Sequence, residues 1–484
     1  MMVVEGREAS MANSAVDYRE RELKFDIPSD WTLPDPARFV PPGGGVERSD
    51  ARLETTYFDT RDRDLLRSRI TLRRRTGDTD VGWQLKVPDG NARTEIRLPL
   101  GGRGIPAELR DATLGVRGGA ALQPLATLVD QREIHRLCGV DGAPLAEIVV
   151  DTVTALQLRE VGVTKHWREV EVELAGGDEK LLERVAKWLA KRGAEPSRSS
   201  SKLARALDYD EGEPRELTML SGLVSDYLDA QAAAIVRGDI DLRRGRDAVH
   251  ATRVGTRRYR SVLRVLGALF DAERAAALDA ELAWIAGTLG ALRDRQVLRE
   301  RLDDAVADLP PELIMGLVAD RIHERLDAEE QQARDKLIAA MRSKRYYALL
   351  RELQEWRKQP TVVADEPADN VALYLARARR KVRRRIARAP QGEGRSEALH
   401  GVRKAAKRAR YIAELARPEL GAKAKAIRKD MKHTQQRLGI RQDSVVAAEF
   451  LRHMGAAAGS LGENGFTYGV LHERELARVH RYGG

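Results

Sequence analysis

Two stretches 150 residues apart, DAVHATRVGTRRYRSVL and EALHGVRKAAKRARYIA, carry one pattern: His250, Arg253, Arg257 and Arg260 align with His400, Arg403, Lys407 and Arg410. Downstream, LGALRDRQVL and LGIRQDSVVA align Asp294 with Asp443, and the His-to-Asp separations are 44 and 43. Self-similarity at matched spacing means one helical unit built twice. The one-residue difference between the copies is expected in a connecting turn. The offsets 0, 3, 7 and 10 fall within about 80° on a helix of 3.6 residues per turn, so each copy sets a histidine and three cations on one stripe. No acid lies between His250 and Arg264, or between His400 and Tyr411, and like charges so spaced repel, so negative charge must come from outside the helix. The plain alternative is a solvated basic face. Against it stand the duplication itself and the added cations of RARRKVRRRIAR, Arg377 to Arg388.

The remainder of the chain has a different period. A length of 484 residues exceeds one ordinary core, so two or three domains are expected. Up to about residue 210, LETTYFDT, ITLRRRTG, GWQLKVP, TEIRLPL, LAEIVVDTVTALQL and HWREVEVEL are short alternating runs separated by Gly, Asp and Pro, the pattern of an antiparallel sheet. One amphipathic helix, EKLLERVAKWLAKRG, follows and stops at Gly193. From Leu217 onward apolar residues recur at three and four spacing, as in SKRYYALLRELQEWRK, so this part is helical. The fold class is α+β and multidomain. Linkers are expected at DYDEGEPRE (208–216) and QPTVVADEPADN (359–370), giving domains at 15–208 and 217–484, the second with repeat units near 217–358 and 370–484.

Charge follows the same division. The chain carries +10, with roughly +14 on 217–484 and roughly −4 on 1–216, which predicts an anionic partner for the helical part. Few aromatics interleave with its basic residues, so base stacking is poorly served and nucleic acid is the less expected partner. The single cysteine, Cys138, excludes a disulfide framework and a cysteine-based zinc cluster. No run approaches eighteen apolar residues, and acids occupy the N-terminus where a signal peptide needs cations; a cytoplasmic protein without membrane attachment is expected.

The stretch RERELKFDI, Arg19 to Ile27, poses the functional question of the N-terminal part. Read as a strand, it sets Glu20, Glu22 and Lys24 on one face and Leu23, Phe25 and Ile27 on the other. On an ordinary half-buried strand the apolar face packs inward and the charges meet water. At this level either face can be the inner one.

The duplicated HxxRxxx(K/R)xxR helices, each followed by LGxxxD, resemble the CHAD domain (conserved histidine α-helical domain) over essentially all of 217–484. That resemblance implies a pseudo-twofold helical bundle whose basic surface, here His250, Arg253, Arg257, Arg260, His400, Arg403, Lys407 and Arg410, binds inorganic polyphosphate without catalysis. Upstream, ExExK at Glu20 to Lys24 is followed in order by YFDT (57–60), TLRRR (71–75), WQLK (83–86), REIHR (132–136), WREVEVEL (167–174) and SSSKLARAL (199–207). The ordered set resembles the CYTH family, the triphosphate tunnel metalloenzymes, over about 15–208. It implies an antiparallel barrel whose charged faces point into a hydrophilic tunnel, with Glu20, Glu22 and Lys24 catalytic.

Within such a tunnel, the negative charge of a triphosphate requires several fixed cations. The candidates are Lys24, Arg73, Arg75, Lys86, Arg132 and Lys202, with Arg52 and Arg97 less secure. Carboxylates beside phosphates require a metal, Mg²⁺ or Mn²⁺, whose expected ligands are Glu20 and Glu22 with two of Glu169, Glu171 and Glu173. Glu169 and Glu171 are favoured and Asp151 is weaker. The activity implied is divalent-metal-dependent hydrolysis of tripolyphosphate or of polyphosphate ends, in the cytoplasm and at polyphosphate granules. Two alternatives stay open: a non-catalytic polyphosphate-binding protein, and a hydrolase of an organic triphosphate such as a nucleotide or thiamine triphosphate.

Overall fold

The computed structural model describes residues 16–90, 92–102, 104–159, 163–209, 218–358 and 366–482. The chain forms two compact units, one on each side of residues 210–217. The expected linkers at 208–216 and 359–370 fall largely outside the described residues, as does the N-terminus up to residue 15.

The first unit is a ten-stranded antiparallel sheet. Its strands are β1 (Val16–Glu20), β2 (Glu22–Ile27), β3 (Gly45–Asp59), β4 (Thr71–Gly77), β5 (Gly82–Asp89), β6 (Ala92–Leu98), β7 (Gln123–Cys138), β8 (Pro144–Gln157), β9 (Thr164–Leu174) and β10 (Glu195–Pro196). The order is β1-β6-β5-β4-β3-β7-β8-β9-β2-β10. β1 pairs with β6 while β2 pairs with β9, and only Arg21 separates β1 from β2. The strand at one end of the row therefore runs straight into β2 at the other, beyond which only the two-residue β10 lies, and the sheet closes into a barrel.

Its apolar core lies outside the barrel wall. Phe25, Ile27, Ile148, Val150, Val170 and Val172 pack beneath the helix α3 (Glu179–Ala190), which contributes Leu181, Val185, Trp188 and Leu189. Asp178 caps that helix by accepting from the Leu181 N–H. Two shorter helices precede it, α1 (Asp64–Arg67) and α2 (Ala107–Ala112), and α4 (Lys202–Ala206) follows. Asp59 of YFDT starts α1: its buried carboxylate accepts from the N–H groups of Thr60, Leu65 and Leu66.

The second unit is helical: α5 (Leu220–Arg243), α6 (Val249–Val265), α7 (Ala272–Ala307), α8 (Val318–Met341), α9 (Lys344–Lys358), α10 (Val371–Ala387), α11 (Arg395–Leu415), α12 (Arg417–Ser460) and α13 (Phe466–Arg481). The repeat maps α6 onto α11 and α7 onto α12. Both copies share one core, in which Val262 and Leu282 from the first meet Val402 and Ile412 from the second. The copies differ at the joint between their paired helices. The first has a 3-10 turn at Gly267–Leu269, whereas the second runs almost directly from α11 into α12, with a kink at Gly421 whose φ of 47° suits glycine. Only α7, among the described helices, is long and apolar enough to cross a membrane. Leu278, Leu282, Ile285 and Leu289 bury its apolar face in the shared core.

Candidate functional site

The alternation of the strands turns the charged face of RERELKFDI inward. Glu20, Glu22 and Lys24 border a cavity inside the barrel, together with Arg73 and Arg75 of β4, Lys86 of β5, Arg132 of β7 and Lys202 of α4. Arg97 also borders it. Arg52 does not: it stands on the opposite face of β3 and is exposed, because the inward series on that strand is Thr55 and Tyr57. Arg93, Asp80, Glu171 and Glu173 complete the charged lining, giving eight cations against five acids.

In and behind the lining, the charged side chains form two clusters. Around Lys202, the ammonium lies 2.7 Å from Asp151 Oδ2, 3.0 Å from Glu169 Oε1 and 2.9 Å from Glu171 Oε1. These three carboxylates offer oxygens within 4.8 Å of one another, a spacing that suits a metal, but the lysine already occupies their centre. Arg132 adds a fork to Asp151 at 2.7 and 2.9 Å and a bond to Glu171 Oε2 at 2.7 Å. Although burial opposes it, Asp151, Glu169 and Glu171 hold the Lys202 ammonium well above its ordinary range.

The second cluster lies on the cavity wall. Glu22 and Glu173 are paired across β2 and β9, and Glu20 stands next on the inward series. Lys86 Nζ lies 2.6 Å from Glu20 Oε2. No cation among the described residues lies within ion-pair distance of Glu173. Burial pushes Glu173 up to about 7, with Glu22 and Glu171 adding to the effect against Lys86. Glu20 is pushed up to about 8 by burial and by its neighbour Glu95. Burial alone would also raise Glu22, but Lys24 and Lys86 hold it near 2.

In the helical unit the two basic stripes converge. Lys407 is driven down to about 7 by burial and then by Arg403 on its own helix and by Arg257 and Arg253 on α6. Arg253 Nη1 contacts Asp294 at 3.1 Å and Arg403 Nη2 contacts Asp443 at 3.9 Å, so the paired motif residues are partners in each copy. Part of the negative charge expected from outside the helix is supplied within the protein. Asp279 of α7 binds Arg260 at 2.9 Å and Arg264 at 2.6 Å, and Glu414 binds Arg410 at 3.3 Å. Arg257 and Lys407, in the middle of the patch, have no acid within ion-pair distance among the described residues. His250 and His400 flank it, each held below the ordinary histidine range by burial and adjacent cations.

Residues 19–207 match the CYTH domain family and residues 226–452 match the CHAD domain family. The uncharacterized protein Rv2226 of Mycobacterium tuberculosis (strain H37Rv) is 35% identical over 491 residues, covering 96% of this chain and 94% of the relative. The chain belongs to the CYTH–CHAD proteins. PptA from Streptomyces chartreusis is similar at 20% identity and a TM-score of 0.47, covering 54% of this chain and 96% of PptA. The CHAD domain from the plant Ricinus communis is similar at 24% identity and a TM-score of 0.44, covering 54% of this chain and 87% of the domain.

The CYTH unit is thus a triphosphate-tunnel domain, and its lining holds residues that the motifs do not name. Arg93 precedes Glu95 and Arg97 in the alternation of β6, a signal visible in ARTEIRL but outside the quoted motifs. Asp80 sits in the β4–β5 connection, where no periodicity points to it; it pairs with Arg97 at 2.7 Å and with Arg75. Glu169, favoured as a metal ligand over Glu173, is not on the cavity wall: it accepts from Trp167 Nε1 at 2.6 Å and lies against Lys202.

Proposed function

We propose that the CYTH barrel is a divalent-metal-dependent inorganic triphosphatase and that the CHAD unit holds polyphosphate, in a cytoplasmic setting. The observation that supports this most is the charged lining: eight cations and five carboxylates, several of them ion-paired, face one cavity. A base or a thiazole would favour an aromatic platform, and Tyr57 is the only aromatic residue on the described wall.

The residues fit a hard cation at Glu20, Glu22 and Glu173. Three carboxylates face the cavity there, and two are lifted towards neutrality by burial and then by neighbouring carboxylates, a charge cost that a divalent ion relieves. The triad of Asp151, Glu169 and Glu171 fits less well, since Lys202 fills it. This reading keeps Glu20 and Glu22 as ligands and puts Glu173 ahead of Glu169. A bound Mg²⁺ or Mn²⁺ supplies charge neutralisation and polarisation of a phosphoryl oxygen. Arg73 and Arg75 bind phosphate oxygens through their guanidinium N–H groups, Arg132 adds the Nη1 that its bonds to Asp151 and Glu171 do not use, and Lys24 and Lys86 act as point charges. Arg75 is crowded by burial and by Arg73 and Arg132, which lowers its proton affinity; an anion between them removes that repulsion. Charge developing on the departing phosphate meets these fixed cations without reorganisation.

The test is phosphate release from tripolyphosphate, long-chain polyphosphate and nucleoside triphosphates, with Mg²⁺ and Mn²⁺ in turn. Tripolyphosphate should be turned over fastest. Glu20→Gln combined with Glu22→Gln should abolish turnover while the circular dichroism spectrum is kept. Full activity of the folded double variant refutes the metal assignment. Turnover of none of the substrates leaves polyphosphate holding as the function.

A further inference from the structure

The connection between β4 and β5 turns one acid into the cavity. Asp78, Thr79 and Val81 are exposed, and Asp80 alone of that turn borders the cavity. Its carboxylate accepts from Arg75 Nη1 and lies 2.7 Å from Arg97 Nη1. The Arg75 side chain is only 2% exposed, so its charge needs a partner inside the protein. Among the described residues Asp80 is the one acid within ion-pair distance of it, and its other side-chain bond goes to the neutral Thr55 Oγ1 at 3.2 Å. Arg97 also has Glu95 at 3.1 Å. The turn is fixed at its base, where Asp78 Oδ2 accepts from the Arg52 N–H at 2.7 Å. Its tip is held by side chains: Gln84 Nε2 donates to the Asp80 carbonyl at 3.0 Å, while Gln84 Oε1 accepts from Arg73 Nε. Gly77 and Gly82 bracket the turn with φ of 133° and 146°, and Asp80 itself has φ of 52°, a left-handed conformation strained for a side chain and offset here by its two ion pairs.

We infer that Asp80 stands in for a substrate phosphate: it neutralises Arg75 and Arg97 in the empty cavity and is displaced when a phosphate group takes over both arginines. The inference rests on the triphosphatase reading for the identity of the incoming anion and on the Asp80 ion pairs for the competition. A carboxylate and a phosphoryl group offer a guanidinium the same paired oxygens. Both cannot lie between Arg75 and Arg97, because two anions at that distance repel. Without Asp80 the empty cavity would leave Arg75 buried and uncompensated, which is strongly unfavourable. A phosphate brings more charge and more oxygens than the carboxylate and displaces it; the carboxylate returns as the product leaves. The exchange lowers the affinity of every anion that reaches the two arginines by the same factor. Tripolyphosphate also reaches Arg73, Lys86 and Lys24 and overcomes that loss. Orthophosphate has fewer contacts and is released.

The experiment uses the full chain with Arg253, Arg257, Arg403 and Lys407 replaced by alanine, so that the CHAD patch does not compete for the ligand. Tripolyphosphate and orthophosphate are titrated calorimetrically with metal chelated, which separates binding from turnover, into this chain and into the same chain with Asp80→Asn. The variant should bind both anions about tenfold tighter. Equal or weaker binding by a variant whose circular dichroism is unchanged overturns the inference and makes Asp80 a group that positions the arginines. A second measurement keeps Asp80 intact: a nitroxide on Val81→Cys, at a position 46% exposed, while the native thiol of Cys138 is buried. Its mobility should rise as tripolyphosphate binds; an unchanged spectrum at saturation overturns the displacement. Tighter binding by Asp80→Asn together with no hydrolysis of tripolyphosphate by the wild-type chain with Mg²⁺ or Mn²⁺ refutes the triphosphatase reading and still supports the displacement.

Discussion

Lys407 offers a direct measure of how tightly the CHAD stripes are coupled. Its amine is pressed down to about 7 because it is partly buried and faces Arg403, Arg257 and Arg253, with Asp443 the acid that opposes them. A polyphosphate lying on the patch cancels that repulsion and returns the amine to its ordinary range. Binding above pH 7 therefore takes up a proton, and affinity falls as pH rises, by up to tenfold per pH unit. From pH 7 to pH 9 the loss works out at about 50-fold from this group alone. The sign is opposite for folding: the free protein gains stability as pH rises from about 7 towards 10.5, because the unfolded lysine holds its proton over that window. His250 and His400 are both held below the ordinary histidine range, and the proton uptake is read at pH 8.5, well away from it. The assay is calorimetric titration with polyphosphate at constant salt, in two buffers of different ionisation enthalpy. At pH 8.5 close to one proton should enter per complex, and Lys407→Arg, which stays charged throughout, should remove that uptake. A pH-independent affinity with no proton uptake in the wild-type chain refutes the reasoning.

Other perturbations test the remaining sites. Lys202→Ala leaves Asp151, Glu169 and Glu171 without the cation at their centre, and should destabilise the CYTH unit by about 3–5 kcal/mol in thermal or denaturant unfolding; an unchanged midpoint would show that the triad is solvated. Asp59→Ala strands three buried N–H groups at the start of α1 and should cost about 3 kcal/mol, with polyphosphate binding by the CHAD unit unaltered. Replacing Arg253 and Arg257 by alanine, or Arg403 and Lys407, should weaken polyphosphate binding and flatten its salt dependence by about one logarithmic unit per cation removed. Because the two pairs face each other, the combined variant should lose less than the sum of the separate losses; strict additivity would mean that the stripes act on separate segments of the chain.

The sequence by itself determined the periods and the faces. Alternation in RERELKFDI and TLRRR commits Glu20, Glu22, Lys24, Arg73 and Arg75 to one side of their strands, and the repeated stripe commits His250 to Arg260 and His400 to Arg410 to one side of their helices. Such patterns are local, since they follow from side-chain direction per residue along one element. What lies opposite a face is a matter of long-range pairing, and only the tertiary structure decided it. Closure through Arg21, with β1 on β6 and β2 on β9, turned a charged face into a lumen and sent the apolar face outward beneath α3. Register across β2 and β9 set Glu22 beside Glu173, and the placement of α4 put Lys202 where a metal was expected among Asp151, Glu169 and Glu171. In the CHAD unit, packing α6 against α11 merged two stripes into one crowded patch and set Glu414 against Arg258, while α7 brought Asp279 to Arg260. Charge at a distance in sequence has no period to betray it. Its effect appears only when the fold brings the groups within a few ångströms, where Coulomb energy and desolvation become large enough to decide which residues are free to bind.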